Sequence, residues 1–170
     1  MTRTVCLHGP ESSGKSTLAP RLAAHLGTAW VREYGREYTE AHGQDLAMAD
    51  LVAIAEGQVA LARAALADAE RAGRHWLVLD TDPLMTIAWA EMLFGRRDPW
   101  FDRWRGEADL YLLMDIDLPF VPDPVRFFGD EERRKRFFDI SRAVLEERGV
   151  RYAVISGTGD ARWEAVLRAV

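Results

Sequence analysis

Short apolar runs alternate along the chain with longer stretches whose apolar residues recur at helical spacing. Thr4-Val5-Cys6-Leu7-His8 predicts a buried strand, and a helix is expected from Lys15 to about Leu26. Ala29 to Glu33 predicts a second, short strand. From Leu46 to Ala72 the chain is rich in alanine and leucine, with Leu51, Ile54, Ala55 and Leu61 on one helical face and Gly73 as the stop. His75 to Asp80 predicts a third strand, apolar and closed by an acid. A helix follows Pro83 and carries Leu84, Ile87, Ala88, Trp89 and Met92. Gly95 to Trp104 reads as a loop or a broken helix. Leu110 to Asp115 predicts a fourth strand, Glu131 to Arg148 a helix that turns at Gly149, and Tyr152 to Ile155 a fifth strand before a short terminal helix.

Strands of continuous apolar character separated by helices imply a parallel sheet covered on both faces. The expected fold is therefore α/β, a doubly wound, mainly parallel five-stranded sheet formed as one domain over residues 1–170. Ligands of such sheets bind beyond the carboxyl ends of the strands. Gly9, Glu33, Asp80 and Asp115 all fall at or just past such an end, so glycine and acid collect on the edge where a site is expected.

Composition narrows the picture. With 170 residues and 48% hydrophobic content, the chain can bury a core without disulfides. The net charge of −5 and the lack of a dominant basic block argue against a nucleic-acid partner. Cys6 is alone and apolar in context, so it reads as a core residue. Thr2 to His8 is too short for an export signal and no apolar stretch is long enough for a bilayer, which points to the cytoplasm and to no membrane partner. His8, His25, His42 and His75 are scattered without metal-ligand spacing; His8 abuts the first strand's end, where packing and nucleotide contact are both open to it. The oligomeric state is not readable.

Gly9-Pro10-Glu11-Ser12-Ser13-Gly14-Lys15-Ser16-Thr17 fits the phosphate-loop pattern G-x-x-x-x-G-K-[ST] at every required position. The two glycines let the backbone turn tightly, so that successive N–H groups form an anion nest at a helix N-terminus. Lys15 supplies a mobile charge for the β- and γ-phosphates, and Ser16 is placed to ligate Mg²⁺. The expected ligands are ATP and Mg²⁺.

Leu77-Val78-Leu79-Asp80 has the hydrophobic-run-plus-acid form that holds Mg²⁺ directly or through water. Asp82 has two readings: a contact to the acceptor substrate, or an N-cap for the helix that opens at Pro83. Glu33 ends the second strand, facing an acceptor pocket opposite the phosphates. Transfer to a hydroxyl needs a carboxylate within reach of it, and Glu33 and Asp82 are the two candidates. Tyr34 and Tyr38 follow Glu33 and offer stacking area to a flat ring, as does Trp89 near the acceptor side. Residues 118–136 combine prolines with Arg126 and the cluster Arg133, Arg134, Lys135 and Arg136, and read as a lid-like segment. Arg126 is the first choice for the transferring phosphoryl group, whereas the cluster also fits a helix face paired with Glu131, Glu132 and Asp139.

Taken together, Gly-Pro-Glu-Ser-Ser-Gly-Lys-Ser-Thr, Arg-Glu-Tyr-Gly-Arg-Glu-Tyr, Asp80-Thr81-Asp82 with Trp89 and Phe94-Gly95, and Asp-Leu-Pro-Phe-Val-Pro-Asp-Pro-Val-Arg resemble, in order, the ribosylnicotinamide kinase domain of NadR-type proteins. The resemblance implies a nucleoside-kinase-like phosphate-loop fold and ATP-dependent phosphorylation of nicotinamide riboside at its 5′-hydroxyl. It adds Asp123 to the substrate-binding candidates. The family's Trp-Val-x-Asp-Gly-x-Arg block appears as Phe120-Val121-Pro122-Asp123-Pro124-Val125-Arg126, with proline in place of glycine, which stiffens the segment. An adenylyltransferase domain has no counterpart in these residues, so synthesis of the dinucleotide is not expected of them. Two other readings share the loop: a regulatory ATPase that needs no acceptor, and a kinase for another nucleoside or a nucleotide.

Overall fold

The computed structural model describes residues 1–122 and 126–170. Strands β1 (Arg3–His8), β2 (Trp30–Val31), β3 (Trp76–Asp80), β4 (Leu110–Met114) and β5 (Tyr152–Ile155) form one sheet in the order β2-β3-β1-β4-β5. Every pairing is parallel. The helices are α1 (Lys15–His25), α2 (Tyr34–His42), α3 (Met48–Arg71), α4 (Pro83–Phe94), α5 (Glu131–Arg148) and α6 (Gly159–Ala169), with a 3-10 turn at Pro99–Arg103.

Alternation along the strands divides the core in two. Cys6, Leu77, Leu79, Tyr111 and Leu113 pack under α3, α4 and α5, through Leu51, Ile54, Leu84, Ile87, Val144 and Leu145. Val5, Leu7, Val78, Leu112 and Met114 pack against Leu18 and Leu22 of α1 and Val166 of α6. The sheet is thus wound on both faces, and its strands read as unbroken apolar runs because neither face meets water. Truncating one of these side chains, Leu7→Ala for instance, removes contacts on the order of 2–5 kcal/mol. No helix among the described residues is long and apolar enough to cross a membrane.

The edge carrying β2 differs from the sequence expectation. The strand is two residues long, in place of one from Ala29 to Glu33, and helix α2 begins at Tyr34. An edge strand has one neighbour, so little holds it extended. Helical spacing instead stacks Tyr38 on His42, with ring centroids 4.1 Å apart.

β1 lies at the centre, paired to β3 and β4, so the segment leaving it is anchored on both sides. Gly9 follows with φ +131°, and a Cβ there would stand 2.8 Å from the Met114 carbonyl oxygen. Only glycine fits so close to the neighbouring strand. Gly9→Ala is expected to cost on the order of 1–3 kcal/mol, measured as a lowered urea midpoint with an unchanged m-value; an unchanged midpoint would refute the close-approach argument.

Candidate functional site

The segment from Gly9 to Gly14 wraps tightly before α1. Ser12 adopts φ +54° and Gly14 φ +90°, which turns the backbone amides inward at the helix N-terminus. The Ser13 hydroxyl donates to the Pro10 carbonyl at 2.7 Å and closes the turn from within. Lys15 is buried, and its ammonium donates to the Gly9 and Pro10 carbonyls at 2.7 and 2.8 Å. Ser16 and Thr17 are exposed toward the cleft.

β3 brings Asp80 beside this loop. Burial raises the Asp80 pKa, against the pull of Lys15 and Ser16, and its Oδ1 is buried without a partner. The next residue, Thr81, has φ +79°, a region that β-branched residues rarely occupy. It breaks the alternation that would otherwise turn positions 80 and 82 to one side.

That turn decides between the two readings of Asp82. Its carboxylate caps α4, accepting from the Leu84 amide at 2.9 Å, and also accepts from the Tyr111 hydroxyl. It lines a second, smaller cavity of about 40 Å³ and not the cleft of the phosphate loop. Burial pushes its pKa up to about 6, with the Tyr111 hydroxyl opposing. The structure thus places Asp82 at the N-cap of α4, apart from the residues that line the cleft.

The phosphate-loop cleft has a volume of about 140 Å³. Beyond the loop it is lined by Glu33, Gly35, Arg36 and Thr39, by Leu51, Ile54 and Gln58 of α3, and by Met85, Thr86 and Trp89 of α4. Arg126 and Phe127 complete the wall. Burial pushes the Glu33 pKa up to about 7; Lys15 and Arg36 oppose this, while Asp80 and Glu11 reinforce it. Trp89 packs in a cluster with Phe127, Phe128 and Phe137, at centroid distances of 5.5, 5.4 and 5.0 Å.

The two tyrosines take other places. The Tyr34 ring lies on α3 at Gly57, where an added Cβ would approach it to 2.2 Å. Tyr38 donates to the Asp50 carboxylate at 2.6 Å. Neither lines the cleft, because the helix beginning at Tyr34 turns both rings onto α3. Asp123 lies outside the described residues. His8 is buried in the core, 3.3 Å from the Ser141 carbonyl, and burial lowers its pKa to about 3.

Several contributions were not legible in the sequence. The Glu11 carboxylate accepts from the backbone amides of Phe127 and Phe128, at 3.0 and 3.1 Å, and so ties the loop to the segment bearing Arg126. Ser12 adds bonds to both backbone groups of Val121. Arg162 of α6 reaches under the loop and donates to the Ser13 carbonyl at 2.6 Å and the Asp115 carbonyl at 2.8 Å. In the basic cluster, Lys135 pairs with Asp139 and Arg133 with Asp130, while Arg134 is buried and donates to the Leu118 carbonyl. Gln58 is buried and bonds around Glu33.

A family model described as an AAA domain matches residues 4–162. The trifunctional NAD biosynthesis/regulator protein NadR of Escherichia coli (strain K12) is 34% identical over 156 residues, covering 88% of this chain. Its counterpart from Salmonella typhimurium is 33% identical over 156 residues. The chain spans 37% of the length of these two relatives. Among solved structures, a NadR protein in complex with NR superposes with a TM-score of 0.79 at 26% identity, over 99% of this chain and 50% of that one. A thymidylate kinase from Ehrlichia chaffeensis matches in fold, with a TM-score of 0.65 at 17% identity over 98% of each chain. A loop of this form on a sheet of this order, matched along nearly its whole length, has one consequence for classification: the chain belongs to the AAA domain family and is a homologue of the NadR proteins.

Proposed function

We propose that the chain is an ATP-dependent small-molecule kinase that phosphorylates the 5′-hydroxyl of nicotinamide riboside, giving nicotinamide mononucleotide and ADP. The observation that carries this reading is the continuity of the cleft, in which the phosphate loop, Glu33 and Trp89 line one cavity. The NadR relatives and the NR-bound NadR structure support it.

The loop amides and Lys15 grip the polyphosphate of ATP. Ser16 and the unpartnered Oδ1 of Asp80 fit a divalent cation. Among the described residues no cluster of three His, Cys, Asp or Glu side chains could hold a metal, which suits an ion that draws most of its ligands from phosphate and water. Bound there, Mg²⁺ would neutralise charge between the β- and γ-phosphates.

Glu33 accepts the proton of the attacking hydroxyl, and Arg126 neutralises charge on the phosphoryl group as it moves. Trp89 and Phe127 form an aromatic wall for the pyridinium ring, where a cation on an aromatic face is worth about 0.5–2 kcal/mol. Glu33 and Glu11 add attraction for that charge. The lid-like role assigned to residues 118–136 draws on contacts of Val121 with Ser12 and of Phe127 and Phe128 with Glu11, and a kinase of this kind is expected in the cytoplasm.

A coupled ADP-release assay with ATP, Mg²⁺ and a panel of nucleosides tests the reading. Nicotinamide riboside is expected to stimulate release strongly over a low basal rate. Stimulation by a different nucleoside alone would replace the acceptor, and equal turnover with no acceptor would favour a regulatory ATPase. Lys15→Ala should lower turnover about a hundredfold or more, since one transition-state charge partner is lost; near-normal turnover would overturn the loop assignment.

The pH profile follows from Glu33. A base must be deprotonated, and burial holds this one near 7 in the free protein. Consequently kcat/KM should fall about tenfold per pH unit below that value, and Glu33→Gln should abolish most turnover together with this acid limb. A Glu33→Gln variant that keeps both would assign the base elsewhere.

A further inference from the structure

We infer that Gln58 is a positioning residue for Glu33: its side-chain amide clamps both peptide groups flanking that glutamate and aims the carboxylate into the cleft. The inference rests on the reading of Glu33 as the base. Gln58 projects from α3 and is 3% exposed. Its Oε1 accepts from the Tyr34 amide at 2.7 Å, and its Nε2 donates to the Arg32 carbonyl at 3.2 Å. Those two groups lie immediately after and immediately before Glu33 in the chain.

The local geometry explains why such a clamp is needed. Glu33 is the N-cap of α2, with φ −66° and ψ 112°. A carboxylate that reaches the free N2 or N3 amides of its own helix is held at a low pKa. Here Glu33 makes no side-chain cap, and the first amide of α2 is satisfied from α3 instead. The carboxylate makes no cap and lines the cleft. The Arg32 carbonyl has left the sheet, since β2 ends at Val31, and Gln58 supplies the donor that a neighbouring strand would have given. A buried amide with both ends used in this way fixes one orientation, because exchanging O and N would set donor against donor and acceptor against acceptor.

The charged groups facing Glu33 are Lys15 from α1, Asp80 from β3, Glu11 from the phosphate loop and Arg36 from α2. The face of α3 toward it offers Gln58 beside the apolar Leu51 and Ile54. Loss of the clamp therefore leaves those charges in place and changes where the carboxylate points.

The test uses the full chain and three variants: Gln58→Leu, Gln58→Glu and Glu33→Gln. Two readouts are taken, acceptor-stimulated ADP release and the ¹³C carboxyl titration of Glu33 in the ligand-free protein. The titration does not depend on which acceptor is correct, and the Glu33→Gln variant assigns its signal. Gln58→Leu is expected to lower kcat about tenfold to a hundredfold, as for a misplaced reacting group, with KM for ATP changed less than about twofold. Its Glu33 titration should move down toward the ordinary carboxylate range as the side chain folds back to cap α2. Gln58→Glu keeps the acceptor for the Tyr34 amide but loses the donor to the Arg32 carbonyl and adds a negative charge, so its kcat should fall as in Gln58→Leu while its Glu33 titration stays at or above the parent value. This variant also carries the test if Gln58→Leu fails to fold.

An unmoved Glu33 titration in Gln58→Leu would overturn the inference, and a raised KM for the acceptor in that case would mean that Gln58 contacts substrate directly. A fall in the Gln58→Glu titration would overturn it equally. If Glu33→Gln retains turnover, the base itself is misassigned; if only the Gln58 variants behave like the parent, the base stands and the clamp falls.

Discussion

One buried ammonium organises the electrostatics of the cleft. Lys15 is held by two carbonyls of its own loop, which offset the cost of burying its charge. Every other ionisable group around it responds. It draws the pKa values of Glu33, Asp80 and Glu11 down against their burial, and it pushes that of His8 further down. Three carboxylates converge on the cleft, and like charges so placed would repel one another without a cation among them. The loop's tight backbone, which depends on Gly9 passing beside Met114, is what puts the ammonium there.

Much of this was legible in the sequence because it depends on local pattern. The five strands, the helix after Lys15, the long α3 and the burial of both sheet faces follow from apolar runs and helical spacing. Glu33 and Asp80 come near the phosphate loop because strand ends of a parallel sheet gather on one edge, whereas Trp89 and Arg126 arrive from α4 and from the segment after β4. Asp82 was less legible because Thr81 takes a left-handed turn that no propensity announces. The positions of Tyr34 and Tyr38 were less legible too: a helix begins at Tyr34, and helical spacing carries both rings to α3. Glu11, Gln58 and Arg162 act through bonds spanning 24 to 149 positions of sequence, which pattern alone does not reveal.

The likeness to NadR proteins and the geometry of the cleft bear on different questions. The likeness places the chain in a family and gives a shape in which related proteins bind their ligands. It spans about half of the solved NadR chain, so the chemistry of this chain has to be argued from its own residues. Those residues divide the labour by element. The central strands carry the phosphate grip, α2 and α3 carry the proposed base and its support, and α4 with the segment after β4 supplies the aromatic wall.

The order of the strands also grades the stiffness of the cleft. β1 is laced to two neighbours, whereas β2 holds the sheet margin by a pairing of only two residues. Backbone amides around the loop should exchange with solvent only in the rarest openings, while those near Glu33 and α2 open in smaller, more frequent excursions. The molecule is thus held most firmly beside the proposed phosphate site and least firmly beside the proposed acceptor site.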